Sequence, residues 1–256
     1  MSVRRLTSSA IRARKGEAFP VMTAYDAPFG RCVEEAGIDV ILVGDSLGMV
    51  VLGFPSTADV ELADMLRHVG AVARGTQHAH VIGDLPFGTY EASDALAVAS
   101  SIALVKAGAD SVKLEGGVRA APRIRAIVGA GVPVVGHIGV TPQTAAIDAG
   151  FRRKGDAKSL LADARAVEEA GAFAIVLEMV EARVAGEITS ALSIPTIGIG
   201  SGPECDAQVL VLHDALGLYP ESPPFAKRFA DIAGASVDAL RRYAAEVRAK
   251  SYPPAK

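Results

Sequence analysis

A closed barrel of alternating parallel strands and helices, the (β/α)₈ or TIM-type α/β fold, is predicted by three features of this sequence. First, a helix, a glycine and a short apolar strand recur as a unit: RCVEEAG then IDVILVGD, ASSIALVKAG then ADSVKLEGG, RAIVGAG then VPVVGHIG, and DARAVEEAG then AFAIVLEMV. Strands alternating with helices in this way imply a parallel sheet with right-handed crossovers. Second, seven or eight such units follow one another without a reversal, which favours closure over an open doubly wound sheet. Third, the length of 256 residues matches a barrel of this type, at roughly 250 residues.

Taken in order, apolar runs place strands at residues 20–24, 40–43, 80–83, 111–114, 134–136, 174–177 and 196–199, each short enough for a buried strand. An eighth is placed at 209–212, although QVLVLHDAL also reads as helix. Gly37, Gly108, Gly131 and Gly171 stand where a helix end needs a residue tolerant of positive φ. From Phe225 onward, FAKRFADIAGASVDALRRYAAEVRAK reads as one or two amphipathic helices before a proline-rich end, a tail suited to covering the barrel or a neighbouring subunit. No Ser/Gly-rich or charge-rich linker divides the chain, so residues 1–256 are expected to form a single barrel domain with a C-terminal helical tail.

Composition narrows the function. Lys plus Arg number 26 against 29 Asp plus Glu, a net charge of −3, so no strong field draws the chain to nucleic acid or to an anionic membrane. Trp is absent and aromatics make up 5%, which speaks against base-stacking surfaces. Cys32 and Cys205 are far apart, lack metal-ligand spacing and read as thiols of a reducing compartment. The basic start MSVRRLTSSAIRARKGE is followed by no apolar core of a secretory signal, and apolar runs stay under the roughly 18 residues of a membrane span. The expected location is the cytoplasm.

Four acidic residues each follow an apolar run: Asp45 in VILVGDSLG, Asp84 in HVIGDLPF, Glu115 in SVKLEGG and Glu178 in AIVLEMV. Packing does not explain carboxylates placed repeatedly at the outgoing ends of strands, where α/β barrels bind ligands. Asp45 and Ser46 could equally cap a helix, and Asp84 could serve a turn. Lys113 and Glu115, two apart on a strand, project to one side while Val112 and Leu114 project to the other. As a mere ion pair, such buried charges would be costly and weakly stabilising, which points to a function. Glu178, set among apolar neighbours, suits a general base, or else a salt bridge at the rim. His137, in VVGHIGVTPQ, ends another strand and reads either as a hydrogen-bonded structural residue or as part of the site. Ser201 lies in IPTIGIGSG, whose Gly198, Gly200 and Gly202 could admit a phosphate or an extended ligand, although the spacing is not a dinucleotide fingerprint.

Carboxylates that converge repel one another unless a cation joins them. Oxygen ligands without clustered His or Cys select a hard ion, Mg²⁺, which keeps waters and takes one or two carboxylates directly. One of Asp45, Asp84 and Glu115 is therefore expected to act through water. The remaining positions suit a 2-oxo acid, whose developing enolate the metal would stabilise and whose carboxylate Lys113 could hold.

The stretches MTAYDAPFGR, VILVGDSLGMVVLG, IGDLPFGTY, SVKLEGG, PVVGHIGVTPQ, AIVLEMV, IPTIGIGSG and LVLHDALGL, in this order between Phe19 and Leu218, closely resemble the ketopantoate (3-methyl-2-oxobutanoate) hydroxymethyltransferase family. The resemblance implies a (β/α)₈ barrel of the phosphoenolpyruvate mutase/isocitrate lyase type. It also implies transfer of a one-carbon unit from 5,10-methylenetetrahydrofolate to 3-methyl-2-oxobutanoate, giving 2-dehydropantoate for pantothenate and coenzyme A synthesis. By motif, Asp45, Asp84 and Glu115 resemble the Mg²⁺ site, and Asp45, Ser46, Asp84 and Lys113 the keto-acid contacts. Glu178 resembles the proton acceptor, and a homo-oligomer, often a decamer, is implied. The chain departs from the family at Phe54 and Pro55, where a histidine is common after Gly53, in a shorter FRRKGDAKS segment, and in YPESPPFAKRF. These differences bear on loop closure, folate contacts and subunit packing. Two other readings remain at this point: a carbon–carbon lyase or phosphonomutase-like relative, which would need a loop cysteine that neither Cys32 nor Cys205 matches, and a non-catalytic barrel that binds a keto acid or serves as an assembly scaffold.

Overall fold

Eight parallel strands close into a barrel in chain order in the computed structural model, which describes residues 5–145, 154, 156–219 and 222–254. They are β1 (Phe19–Thr23), β2 (Val40–Val43), β3 (His80–Asp84), β4 (Ser111–Glu115), β5 (Val134–Gly139), β6 (Ala174–Glu178), β7 (Thr196–Ile199) and β8 (Ala207–Leu210). Strands β2, β3 and β4 are buried at every position, as expected when helices cover the outside and side chains fill the inside. This burial explains why the runs read as continuously apolar.

The eighth strand differs from expectation. It begins at Ala207, two residues before the expected start, and Leu212 instead opens the helix Leu212–Leu216. Asp206 accounts for the shift. Its carboxylate accepts from the Thr196 N–H at 2.8 Å and the Gly16 N–H at 2.9 Å and pairs with Lys15 Nζ at 2.9 Å. Its own N–H donates to Thr196 Oγ1 at 3.2 Å. These bonds start the β7–β8 pairing at Ile197↔Ala207. The four helix-terminating glycines follow expectation, with φ of 80° at Gly37, 119° at Gly108, 88° at Gly131 and 101° at Gly171.

Inside the barrel, Phe19, Val21, Val40, Leu42, Ile82, Val135, Val176, Ile197 and Val209 form one buried apolar cluster, joined from the helix Ser8–Arg12 by Ile11. Side chains alternate along a strand, so Asp84 shares the inward side of Ile82, His137 that of Val135, and Glu178 that of Val176. The lumen is thus mainly apolar toward the strand starts, where His80 and Ser111 bond to each other at 2.8 Å, and ionisable toward the strand ends.

Two compact units are distinguished, Met1–Val209 and Leu210–Lys256. In the second, the expected tail helices take the form of one helix, Ile232–Arg248, none of whose residues is buried. Of the segments that depart from the family, residues 151–153, 155, 220 and 221 lie outside the described residues. Among the described residues no helix is long and apolar enough to cross a membrane.

The helix Ala157–Glu169 packs on β5 where Gly136 offers no side chain: a Cβ there would stand 2.3 Å from Val167 Cγ1. Gly136→Ala is expected to destabilise the fold by about 2 kcal/mol through overpacking. Val167→Ala in the same chain should recover part of that loss, measured by urea unfolding.

Candidate active site

The sheet register assembles the site. Asp84 on β3 stands beside Lys113 on β4, Glu115 beside His137 on β5, and Glu178 on β6 beside Gly139. Asp45 lies two residues past β2, and its N–H donates to Asp84 Oδ2 at 3.1 Å. Lys113 Nζ reaches Asp84 Oδ1 at 2.9 Å and His137 Nδ1 at 3.2 Å. The imidazole stands 3.5 Å from Glu115 Oε1 through Nδ1 and 3.4 Å from Glu178 Oε2 through Nε2. Ser46 Oγ is 2.9 Å from the Tyr25 hydroxyl. Asp45, Ser46, Asp84, Lys113, Glu115, His137 and Glu178 therefore occupy one end of the barrel, the end predicted for them.

Ser201 has a different environment. Its hydroxyl donates to the Leu177 carbonyl at 2.7 Å and accepts from the Val180 N–H at 3.0 Å, so it binds the backbone around Glu178. Two of the glycines near it are enclosed rather than open to a ligand. A Cβ at Gly198 would stand 3.0 Å from Cys205 Sγ, and one at Gly202 would stand 2.6 Å from Ala182 Cβ.

The charges do not balance. Asp45, Asp84 and Glu115 are buried, and Lys113 is the ammonium set among them. Burial, with the neighbouring Asp84 charge, pushes the Asp45 carboxyl up to about 8. Burial also raises Glu115 well above the usual carboxylate range, against the pull of Lys113. For Lys113, burial disfavours the charge, but Asp84, Glu115 and Asp45 outweigh it and its pKa rises. His137 is lowered by burial and then by the Lys113 charge, so the ring is neutral. With an ammonium donating to Nδ1, the ring proton belongs on Nε2, facing Glu178.

Glu115 Oε1 is buried and accepts no hydrogen bond, while Asp84 Oδ1 meets the Lys113 ammonium at 2.9 Å. Buried acceptors are normally satisfied, and an oxygen left bare beside excess negative charge suits a hard cation. Among the described residues no three His, Cys, Asp or Glu side chains are already drawn together as a metal cage.

Two residues not anticipated from sequence complete the site. Gln143, in the short helix Pro142–Ala145, donates through Nε2 to Asp45 Oδ2 at 2.8 Å and to the Leu85 carbonyl at 2.9 Å. Its backbone N–H donates to Glu115 Oε2 at 3.2 Å. Tyr90 donates its hydroxyl to Gln143 Oε1 at 2.6 Å, which turns the amide nitrogen toward Asp45. Both lie in stretches already singled out, FGTY and VTPQ, but nothing in their local spacing shows that they meet.

A family model described as ketopantoate hydroxymethyltransferase matches residues 5–255. A protein of Ignicoccus hospitalis named 3-methyl-2-oxobutanoate hydroxymethyltransferase is 54% identical, the match covering 94% of this chain and 93% of that one. One of the same name from Staphylothermus marinus is 49% identical, over 99% of this chain and 96% of that one. Among solved structures, phosphonopyruvate hydrolase in complex with oxalate and Mg²⁺ superposes with a TM-score of 0.62 at 17% identity, over 96% of this chain and 88% of that one. 2,3-Dimethylmalate lyase, a member of the phosphoenolpyruvate mutase/isocitrate lyase superfamily, does so with a TM-score of 0.61 at 18% identity, over 98% and 90%. These likenesses bear out the expected barrel type, and the chain, a transferase enzyme, belongs to the ketopantoate hydroxymethyltransferase family.

Proposed function

We propose that this enzyme transfers the one-carbon unit of 5,10-methylenetetrahydrofolate to C3 of 3-methyl-2-oxobutanoate, forming 2-dehydropantoate for pantothenate and coenzyme A synthesis, with Mg²⁺ as cofactor. The names of its relatives support the keto acid as acceptor. The observation that carries the chemistry is the set of buried carboxylates around Lys113 at the barrel mouth, with Glu178 on the same lumen side and 18% of its side chain exposed.

Asp45, Asp84 and Glu115 would hold the Mg²⁺, at least one of them through water. Bound there, the ion supplies Lewis-acid polarisation of the keto carbonyl, which makes the C3 proton more acidic. Lys113, kept charged by Asp84, binds the substrate carboxylate, and Ser46, oriented by Tyr25, adds a hydrogen bond to the keto acid. Glu178 accepts the C3 proton, with the neutral His137 ring beside its carboxylate, Nε2 standing 3.4 Å from Oε2. The electron pair left at C3 forms the new bond to the methylene carbon of the folate, and water provides the hydroxyl oxygen as tetrahydrofolate departs. The lyase-like reading is disfavoured, because Cys32 is exposed on the helix Ala27–Glu35 and Cys205 is buried beside Thr189 and Thr196.

Exchange of the C3 hydrogen for deuterium, followed by NMR without folate, is expected to require Mg²⁺ and to fall by about 10²-fold or more in Glu178→Gln. Undiminished exchange would remove Glu178 as the base. Asp84→Asn is expected to weaken Mg²⁺ and keto-acid binding together, each on the order of ten- to a hundred-fold by calorimetry, since it removes a metal oxygen and uncouples Lys113. Unchanged affinities would exclude Asp84. With its pKa at about 8 in the fold and roughly 4 when unfolded, Asp45 takes up a proton on folding between those values. Its contribution to metal-free stability is therefore full below about pH 4 and is lost as the pH rises through about 8. Mg²⁺ competes with that proton, so the rise in melting temperature on adding Mg²⁺ should grow between about pH 5 and about pH 9. A pH-independent rise would count against buried carboxylates as ligands.

A further inference from the structure

We propose that Ser201 is a positioning residue for Glu178, acting by holding the backbone at Met179 in a strained conformation that aims the carboxylate. The inference rests on the reading of Glu178 as the base.

Met179 has φ of +48°, the left-handed region that an L residue with a Cβ adopts only at a cost. It directly follows Glu178, the last residue of β6. Backbone strain of this kind persists only where the surroundings over-determine it, and here they do. The Glu178 carbonyl accepts from the Val140 N–H at 2.9 Å, and the Met179 N–H donates to the Ile199 carbonyl at 2.8 Å. The Met179 carbonyl accepts from the Lys154 N–H at 2.9 Å.

Ser201 closes the turn. Its hydroxyl donates to Leu177 O at 2.7 Å, one residue before Glu178, and accepts from Val180 N–H at 3.0 Å, two residues after it. The side chain is fully buried, so water does not stand in for either bond. Across the sheet, Gly139 leaves the space the turn needs, since a Cβ there would lie 2.2 Å from Glu178 O. A glutamate side chain has several rotatable bonds, and its reach is set by where the backbone points Cβ. Letting Met179 relax to ordinary helical or extended angles would carry Val180 away from Ser201 and swing Glu178 off its line past His137.

If Ser201 served only to join β6 to the helix Ala182–Ala191, its loss would lower stability and leave catalysis unchanged. Ser201→Ala removes the clamp, and Met179→Gly, which carries no penalty at positive φ, lets the turn hold its angle without it. In the full-length protein with Mg²⁺, C3 hydrogen–deuterium exchange on 3-methyl-2-oxobutanoate is measured beside the melting temperature and the calorimetric Mg²⁺ affinity, with Glu178→Gln as reference. Ser201→Ala is expected to lose at least tenfold in kcat for exchange, with KM and Mg²⁺ affinity within twofold of wild type. Met179→Gly is expected to melt at or above the wild-type temperature with kcat near wild type, and adding it to Ser201→Ala should recover kcat at least threefold. Met179→Val, a β-branched residue that tolerates positive φ poorly, decides the matter if Ser201→Ala does not fold, with kcat expected to fall at least threefold at unchanged KM. Exchange lost in Glu178→Gln but at wild-type kcat in Ser201→Ala and Met179→Val would overturn the positioning role alone. Rates that fall only in step with melting temperature would also overturn it. Exchange that survives Glu178→Gln would overturn the base assignment on which the proposal rests.

Discussion

Lys113 lies 2.9 Å from Asp84 and is drawn further toward its charged form by Glu115 and Asp45, and the electrostatics of the barrel mouth depend on that one ammonium. Burying a charge is tolerable only when partners compensate its lost hydration. Here the partners outnumber it, so part of the negative charge must be neutralised by bound protons or by a cation. The same surplus keeps the lysine charged while the adjacent imidazole stays neutral. Two basic side chains in contact thus carry different charge states, which allows one to bind an anion while the other serves as a hydrogen-bond partner.

Backbone geometry delivers this arrangement with few residues. β4 contributes both Lys113 and Glu115 because they are two apart on a strand, and β3, β5 and β6 each add one side chain of matching inward parity. Gln143 then links Asp45 to Glu115 through a neutral amide, which separates two carboxylates without adding charge. A carboxylate in its place would worsen the repulsion, and an aliphatic side chain would leave the Asp45 oxygen and the Tyr90 hydroxyl without that partner.

Much of this was legible in the residues. Short apolar runs followed by Asp45, Asp84, Glu115 and Glu178 revealed both the strands and the end at which the site lies, because alternation and strand polarity are local properties. The glycines at 37, 108, 131 and 171 marked helix ends for the same reason. β8 was misplaced by two residues because its start depends on Asp206 meeting Thr196, Gly16 and Lys15, contacts that hydrophobicity does not encode. Gln143 and Tyr90 stayed hidden because they act on partners 98 and 53 positions away. Ser201 was noticed for its glycine-rich setting, but its hydroxyl serves the backbone of β6. The left-handed angle at Met179 has no sequence signature at all, since glycine would have been the expected residue.

The apolar filling of the lumen, where Phe19, Val40 and Ile11 close the ends at which the strands begin, has a kinetic consequence. A chamber with a solid floor has one doorway. On the proposed chemistry the small oxo acid would settle at the bottom, against Lys113 and the acids, and the bulkier pterin would follow from above. The two reactants would then load in sequence and the products leave in reverse, so a folate arriving first would bar the way for its partner.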